Sequence, residues 1–154
     1  NVIKQLNEEI NVDVALLFSA LEEVGLRGAK VGSFTVNSDY AIVVDVTHGE
    51  TPDSGSDDAF KLGSGAIITK GVGVNRQMTQ DIIELAKEKE IPYQIEVTTG
   101  RSGTNADAIM VSNKSVATAI ISIPLRYMHT PNEVAKVSDL EAAAKLIYEY
   151  IRSF

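Results

Sequence analysis

The chain has 154 residues, 44% of them hydrophobic and 23% charged, and no cysteine. At the usual ~100–200 residues per domain that length makes one domain, and it contains no run of ~20 apolar residues to span a bilayer. A net charge of −7 repels phosphate backbones and anionic headgroups, arguing against nucleic acid and membrane partners, and the missing thiols exclude disulfides, cysteine nucleophiles and thiolate metal sites.

Val2, Ile3, Leu6 and Ile10 recur at helical spacing with no cap before them, so a helix is expected to open the chain in mid-pattern, as in a piece of a longer protein. No charged-then-apolar leader precedes it, nothing argues for export, and the expected location is cytoplasmic. Residues 12–21 (VDVALLFSAL) are almost continuously apolar, the signature of a strand covered on both faces. Residues 40–46, 65–69, 93–98 and 117–124 repeat that signature, predicting five strands. Between them, residues 76–90 predict a helix whose Met78, Ile82, Leu85 and Ala86 face the core, and 104–112 a shorter one. The last helix is expected over 139–152, with Ser138 and Glu141 as a capping box and Leu140, Ala144, Ile147 and Ile151 inward. Alternating strands and helices imply an α/β fold, a three-layer α/β/α sandwich around a mixed, mostly parallel sheet.

In such sheets ligands collect beyond the carboxyl ends of the strands. There the first strand runs into Glu22-Glu23, the second carries Asp45, and the last leads through Pro124 and Leu125 to Arg126 and His129. Carboxylate and imidazole are the donors that hold Zn²⁺, Co²⁺ or Mn²⁺ in a cysteine-free chain. Where a strand breaks at Val24-Gly25, twisting brings neighbouring side chains toward one cleft. One glutamate can then bind a metal while the other accepts a proton from water, the pairing that metal-assisted hydrolysis needs. A lone Glu-Glu pair also reads as a solvated loop entrance.

Three runs carry a resemblance: Glu22-Glu23-Val24-Gly25-Leu26-Arg27-Gly28-Ala29, Val44-Asp45-Val46-Thr47, and Ile123-Pro124-Leu125-Arg126-Tyr127-Met128-His129-Thr130-Pro131. In order and spacing, over essentially the whole chain, they resemble the tetrahedral-type (TET) metalloaminopeptidases, a group also labelled glutamyl aminopeptidase and, in older usage, cellulase M or endoglucanase. The resemblance implies Glu22 as general base, Glu23 and His129 as ligands of one metal ion, and Asp45 as a ligand of the other. It further implies two divalent ions, zinc or cobalt, ~3.5–4 Å apart, short peptides as substrates, a single N-terminal amino acid as product, and a homo-oligomer.

By the same resemblance, residues 1–154 form the C-terminal portion of the catalytic domain. A further His and a metal-bridging Asp, together with an inserted dimerisation domain, are expected upstream, leaving this piece alone inactive. Leu21 stands where the family usually has Gln, and Asn105 and Asp107 depart from its Gly-Thr-Asp order.

His48 reads either as a neighbour of the metal ligands or as a partly exposed loop histidine. Arg126 reads equally as a substrate-positioning group or a structural ion pair. Asp53, Asp57 and Asp58 do not fit a calcium loop and read as solvated, while Gly63, Gly65, Gly71, Gly73, Gly100 and Gly103 read as turn glycines rather than phosphate loops. Two alternatives stand beside the peptidase: a non-catalytic truncated or interaction module, and an endoglucanase-type glycoside hydrolase. The latter needs carboxyl groups ~5–9.5 Å apart and an aromatic sugar platform, in a chain with no Trp and 6% aromatic residues.

Overall fold

A computed structural model describes residues 10–54 and 59–154. Runs rich in β-branched residues form strands β1 (Tyr40–His48), β2 (Ala66–Gly71), β3 (Tyr93–Thr98) and β4 (Ala117–Leu125). Helices α1 (Arg27–Val36), α2 (Arg76–Glu88), α3 (Ala106–Ile109) and α4 (Val137–Arg152) lie between and after them. The sheet order is β1-β4-β2-β3. β1 runs parallel to β4 and β2 parallel to β3, with one antiparallel junction where Ile67 and Ile68 pair with Ser122 and Ile121. Because Thr47 pairs with Pro124 and His48 with Leu125, the carboxyl ends of β1 and β4 meet at one edge.

One face of the sheet carries the main core, where Ile68 and Ile121 pack with Met78, Ile82 and Ala86 of α2 and Leu146 of α4. On the other face Val43 and Ile120 pack with Ala106 of α3, and α1 lies against α3. The mixed, three-layer α/β/α architecture is thus as expected. The α2 start is set by Asn75, whose side chain accepts from the Met78 N–H at 2.9 Å, and Lys87 sits in the last turn, where the helix dipole favours a cation.

Four expectations change. Residues 12–21 form no strand: they pair with none of the described strands, and without a ladder Val14, Leu16, Leu17, Phe18 and Leu21 stay exposed. Instead α1 follows, a helix that Gly28, Gly32 and the β-branched Val31, Thr35 and Val36 obscure by propensity. The glycines admit the preceding segment: a Cβ on Gly28 would lie 2.4 Å from the Ala20 carbonyl oxygen, and one on Gly32 2.5 Å from Leu17.

The 104–112 helix contracts to the single turn of α3. Thr104 and Asp107 side chains accept the N–H groups of Ala106 and Ser102, holding the preceding residues in a turn instead.

In α4, Ser138 lies inside the helix, Lys136 precedes it without a side-chain cap, and the capping box is absent. The buried face is Asp139, Ala142, Ala143, Leu146 and Tyr150, with Leu140 44% exposed, about one residue's rotation from the expected stripe. Asp139 sets that rotation: its fully buried carboxylate accepts the Gly63 and Gly65 N–H groups at 2.7 and 2.9 Å. The expected opening helix at Val2, Ile3 and Leu6, and the reading of Asp57 and Asp58, lie outside the described residues. Among the described residues no helix is long and apolar enough to cross a membrane.

Candidate active site

Glu22 and Glu23 sit on a tight turn rather than at a strand end. The Gly25 and Leu26 N–H groups both point at the Glu22 carbonyl, at 3.2 and 3.0 Å, and Gly28 N–H returns to Ala20 at 2.9 Å. Asp45 projects from β1 and accepts its own neighbour's N–H, Val46, at 2.8 Å. His129 lies on the turn after β4, where Glu133 accepts its backbone N–H at 2.8 Å. Across the gap between these turns, His129 Nε2 approaches Glu23 Oε1 to 3.0 Å.

Of eight non-glycine residues with positive φ among the described residues, four flank these groups: Leu21, Leu26, Tyr127 and His129 itself. Each left-handed side-chain-bearing residue costs roughly 1–3 kcal/mol, and such strain concentrates at functional sites.

The four candidates sense one another electrostatically. Partial burial raises the Glu22 pKa, the Asp45 and Glu23 carboxylates raise it further, and His129 opposes them. Asp45 is also pushed up, first by burial and then by Glu23, against the Val46 hydrogen bond. Carboxylates that resist ionising together are a field in which a cation is favourable. Glu23 and His129 therefore fit as a ligand pair, with Asp45 a further oxygen donor of suitable chemistry. Among the described residues, however, no three His, Asp or Glu side chains come together closely enough to hold one ion.

Two other residues are placed by the fold. Arg126 forms no carboxylate ion pair among the described residues; its Nε donates to the Glu50 carbonyl, and its backbone pairs with Val134, so it braces the loop before His129. His48 is exposed, at the end of β1, and lines a cavity of about 370 Å³ with Thr51, Ser54, Leu125, Tyr127 and Met128. Glu133 escaped the sequence reading; its only signal was a carboxylate four residues beyond the histidine.

The family model for M42 glutamyl aminopeptidase matches residues 1–146. The chain belongs to the M42 family. Among curated proteins it is 37% identical over 143 residues to the lysyl aminopeptidase of Pyrococcus furiosus, covering 93% of this chain and 41% of that protein. Among solved structures it resembles aminopeptidase APDkam598 of the archaeon Desulfurococcus kamchatkensis with a TM-score of 0.90 at 32% identity, covering 99% of this chain and 44% of that one.

The TET1 peptidase of Pyrococcus horikoshii, described as assembling into a tetrahedron or a large octahedral shell, aligns at 0.72 and 30% identity, covering 89% and 40%. A protein of Thermotoga maritima described as an endoglucanase aligns at 0.61 and 28% identity, covering 81% of this chain and 37% of that one. The chain thus spans less than half the length of these relatives.

Proposed function

We propose that this chain is the C-terminal, metal-liganding portion of a metal-dependent aminopeptidase that releases single amino acids from the N-termini of peptides. The observation that carries the reading is the approach of His129 Nε2 to Glu23 Oε1 at 3.0 Å, next in the chain to Glu22, in a chain of the M42 family. Glu23, Asp45 and His129 would hold divalent cations, zinc or cobalt, which when bound supply Lewis acidity toward the peptide carbonyl.

Glu22, left free of metal, is the proton acceptor. Its raised pKa improves its match to a proton taken from attacking water and returned to the leaving amine. Homo-oligomeric assembly and a cytoplasmic location go with this reading, the first supported by the shell-forming structural relative.

The experiment is Glu22→Gln in the protein carrying this chain, assayed on short peptides with added Zn²⁺ or Co²⁺. Turnover should fall at least ~10²-fold, as general-base loss does, while bound metal is unchanged. Near-normal rates would remove Glu22 from its role.

A second reading, a non-catalytic piece, is favoured by the absence of three converging metal-capable side chains among the described residues. Calorimetric titration with Zn²⁺ of the whole protein carrying this chain separates the two. Tight binding of two ions per chain sinks the second reading, and weak or single-ion binding supports it.

A further inference from the structure

We propose that Glu96 is a positioning residue for Asp45: its carboxylate reaches across the sheet and fixes the end of β1 on which Asp45 sits. This rests on Asp45 being a metal ligand, as proposed above. Thr47 Oγ1 donates to Glu96 Oε1 and Thr69 Oγ1 to Glu96 Oε2, each at 2.7 Å. Both threonines are buried and Glu96 is partly buried. Glu96 forms no ion pair among the described residues, so the two hydroxyls are the groups that hold it.

The contact is long-range in the sheet as well as in the chain. Glu96 is on β3 and Thr47 on β1, the outer strands of the order β1-β4-β2-β3, with β4 and β2 between them. Adjacent strands rotate by ~20–25°, so twist accumulated over three steps lifts diagonal corners of a sheet toward one face, and this bond closes across that face. Thr69 lies directly opposite Glu96 in the β2–β3 register and steadies the carboxylate locally. Thr47 is the far partner, 49 residues away in sequence.

The far partner matters because β1 needs holding. Among the described residues β1 has a strand on one side only, and its outer side makes no ladder before Gly49 bridges to Phe60. A strand end with few such bonds opens most readily. β1 pairs with β4 residue for residue from Tyr40 to His48, so side chains alternate regularly, and Asp45 and Thr47 project from the same face about 7 Å apart. Between them the Val46 N–H donates to Asp45 Oδ1 at 2.8 Å. Contacts therefore run from Glu96 to the Thr47 hydroxyl, along one residue of backbone, to the Asp45 carboxylate. Hydroxyl-to-carboxylate bonds are charge-assisted and short, which suits them to fixing a strand end. A glutamine at 96 would accept from only one hydroxyl with its single carbonyl oxygen.

The test is a Zn²⁺ competition titration of the whole protein carrying this chain, stripped of metal, beside thermal melts of the same samples. Thr47→Val and Thr69→Val each take one hydroxyl from the same carboxylate, so both should lower the melting temperature. Only Thr47→Val should weaken Zn²⁺ binding, at one of two sites and by roughly 10-fold, with Thr69→Val within about twofold of the parent. Thr47→Ser, which keeps the hydroxyl, should restore the parent's affinity, and Glu96→Gln should shift it in the direction of Thr47→Val. Unchanged affinity in Thr47→Val, equal losses in Thr47→Val and Thr69→Val, or no Zn²⁺ binding by the parent would overturn the assignment.

Peptide hydrolysis by the same parent protein is scored separately. Two ions bound without hydrolysis would defeat the aminopeptidase reading and leave the positioning of Asp45 standing. Hydrolysis by the parent, with Zn²⁺ affinity unaltered in Thr47→Val, would do the reverse.

Discussion

Asp139→Asn tests the interaction that sets the rotation of α4 and the path of the chain into β2. The carboxylate is fully buried, and its two oxygens accept the Gly63 and Gly65 N–H groups at 2.7 and 2.9 Å. Asparagine keeps one acceptor and turns its NH₂ toward the other peptide N–H, so one bond is lost and a buried donor is left facing a donor.

A hydrogen bond to a charged group contributes ~1.5–3 kcal/mol and an orphaned buried donor costs ~1–3, giving a loss of about 2–4 kcal/mol where the two overlap. Removing a negative charge from the first turn of α4 adds about 0.5 kcal/mol through the helix dipole. In urea titrations followed by circular dichroism, with a slope of ~2 kcal/mol/M, the midpoint should drop by about 1–2 M at constant slope. Asp139→Ala, which orphans both donors, should fall at least as far. Midpoints for both variants within ~0.3 M of the parent would refute the claim that this carboxylate organises the junction.

Gly65→Ala should cost on the order of 3 kcal/mol or more, read as a lowered melting temperature, because φ is +96° and the new Cβ would lie 1.9 Å from the Pro92 carbonyl oxygen. Thr79→Val should raise stability by about 0.5–1.5 kcal/mol in the same urea assay, since the buried Thr79 hydroxyl has no hydrogen-bond partner among the described residues and a methyl of similar size removes an unpaid desolvation. Burial, then Asp81 and Tyr40, push the Tyr150 phenol from 10.0 up to about 12. The fold therefore holds the neutral phenol; its contribution is complete below pH ~10 and is lost as pH rises toward about 12. Tyrosinate absorbance should show one late-titrating phenol, and unfolding free energy should decline across that window; a flat profile would count against the burial of Tyr150.

Where a segment's local pattern and its packing agree, the sequence was sufficient. Strands β1 to β4 read correctly because continuous β-branched runs have partners in the sheet, and α2 because Met78, Ile82 and Ala86 repeat on one face under an Asn75 cap. The reading failed where tertiary contact overrides pattern. VDVALLFSAL looks like a buried strand, yet with no described strand beside it the run lies irregular and exposed. Helix α1 looks broken by Gly28 and Gly32, yet those glycines let Ala20 and Leu17 approach. The α4 stripe is misplaced because a buried aspartate, counted as surface by any hydropathy rule, turns the helix.

The same division runs through the site. Glu22, Glu23, Asp45 and His129 stand out by residue type and by an expected place at strand ends; the fold puts Glu22 and Glu23 on a turn with no strand before it among the described residues, and of the four it brings Glu23 and His129 into contact. What places them is less visible: Leu21, Leu26, Tyr127 and His129 adopt φ between 57° and 62°, a region that sequence normally announces with glycine. These strained turns persist because ordinary interactions hold them from outside. The Glu22 carbonyl is gripped by two N–H groups, the His129 N–H by Glu133, and the Arg126 backbone by Val134. Glutamate and histidine heads are thereby aimed at each other by backbone geometry and not by their own packing, for both are largely exposed. A site built this way can be preorganised without a buried, rigid shell around the reacting groups.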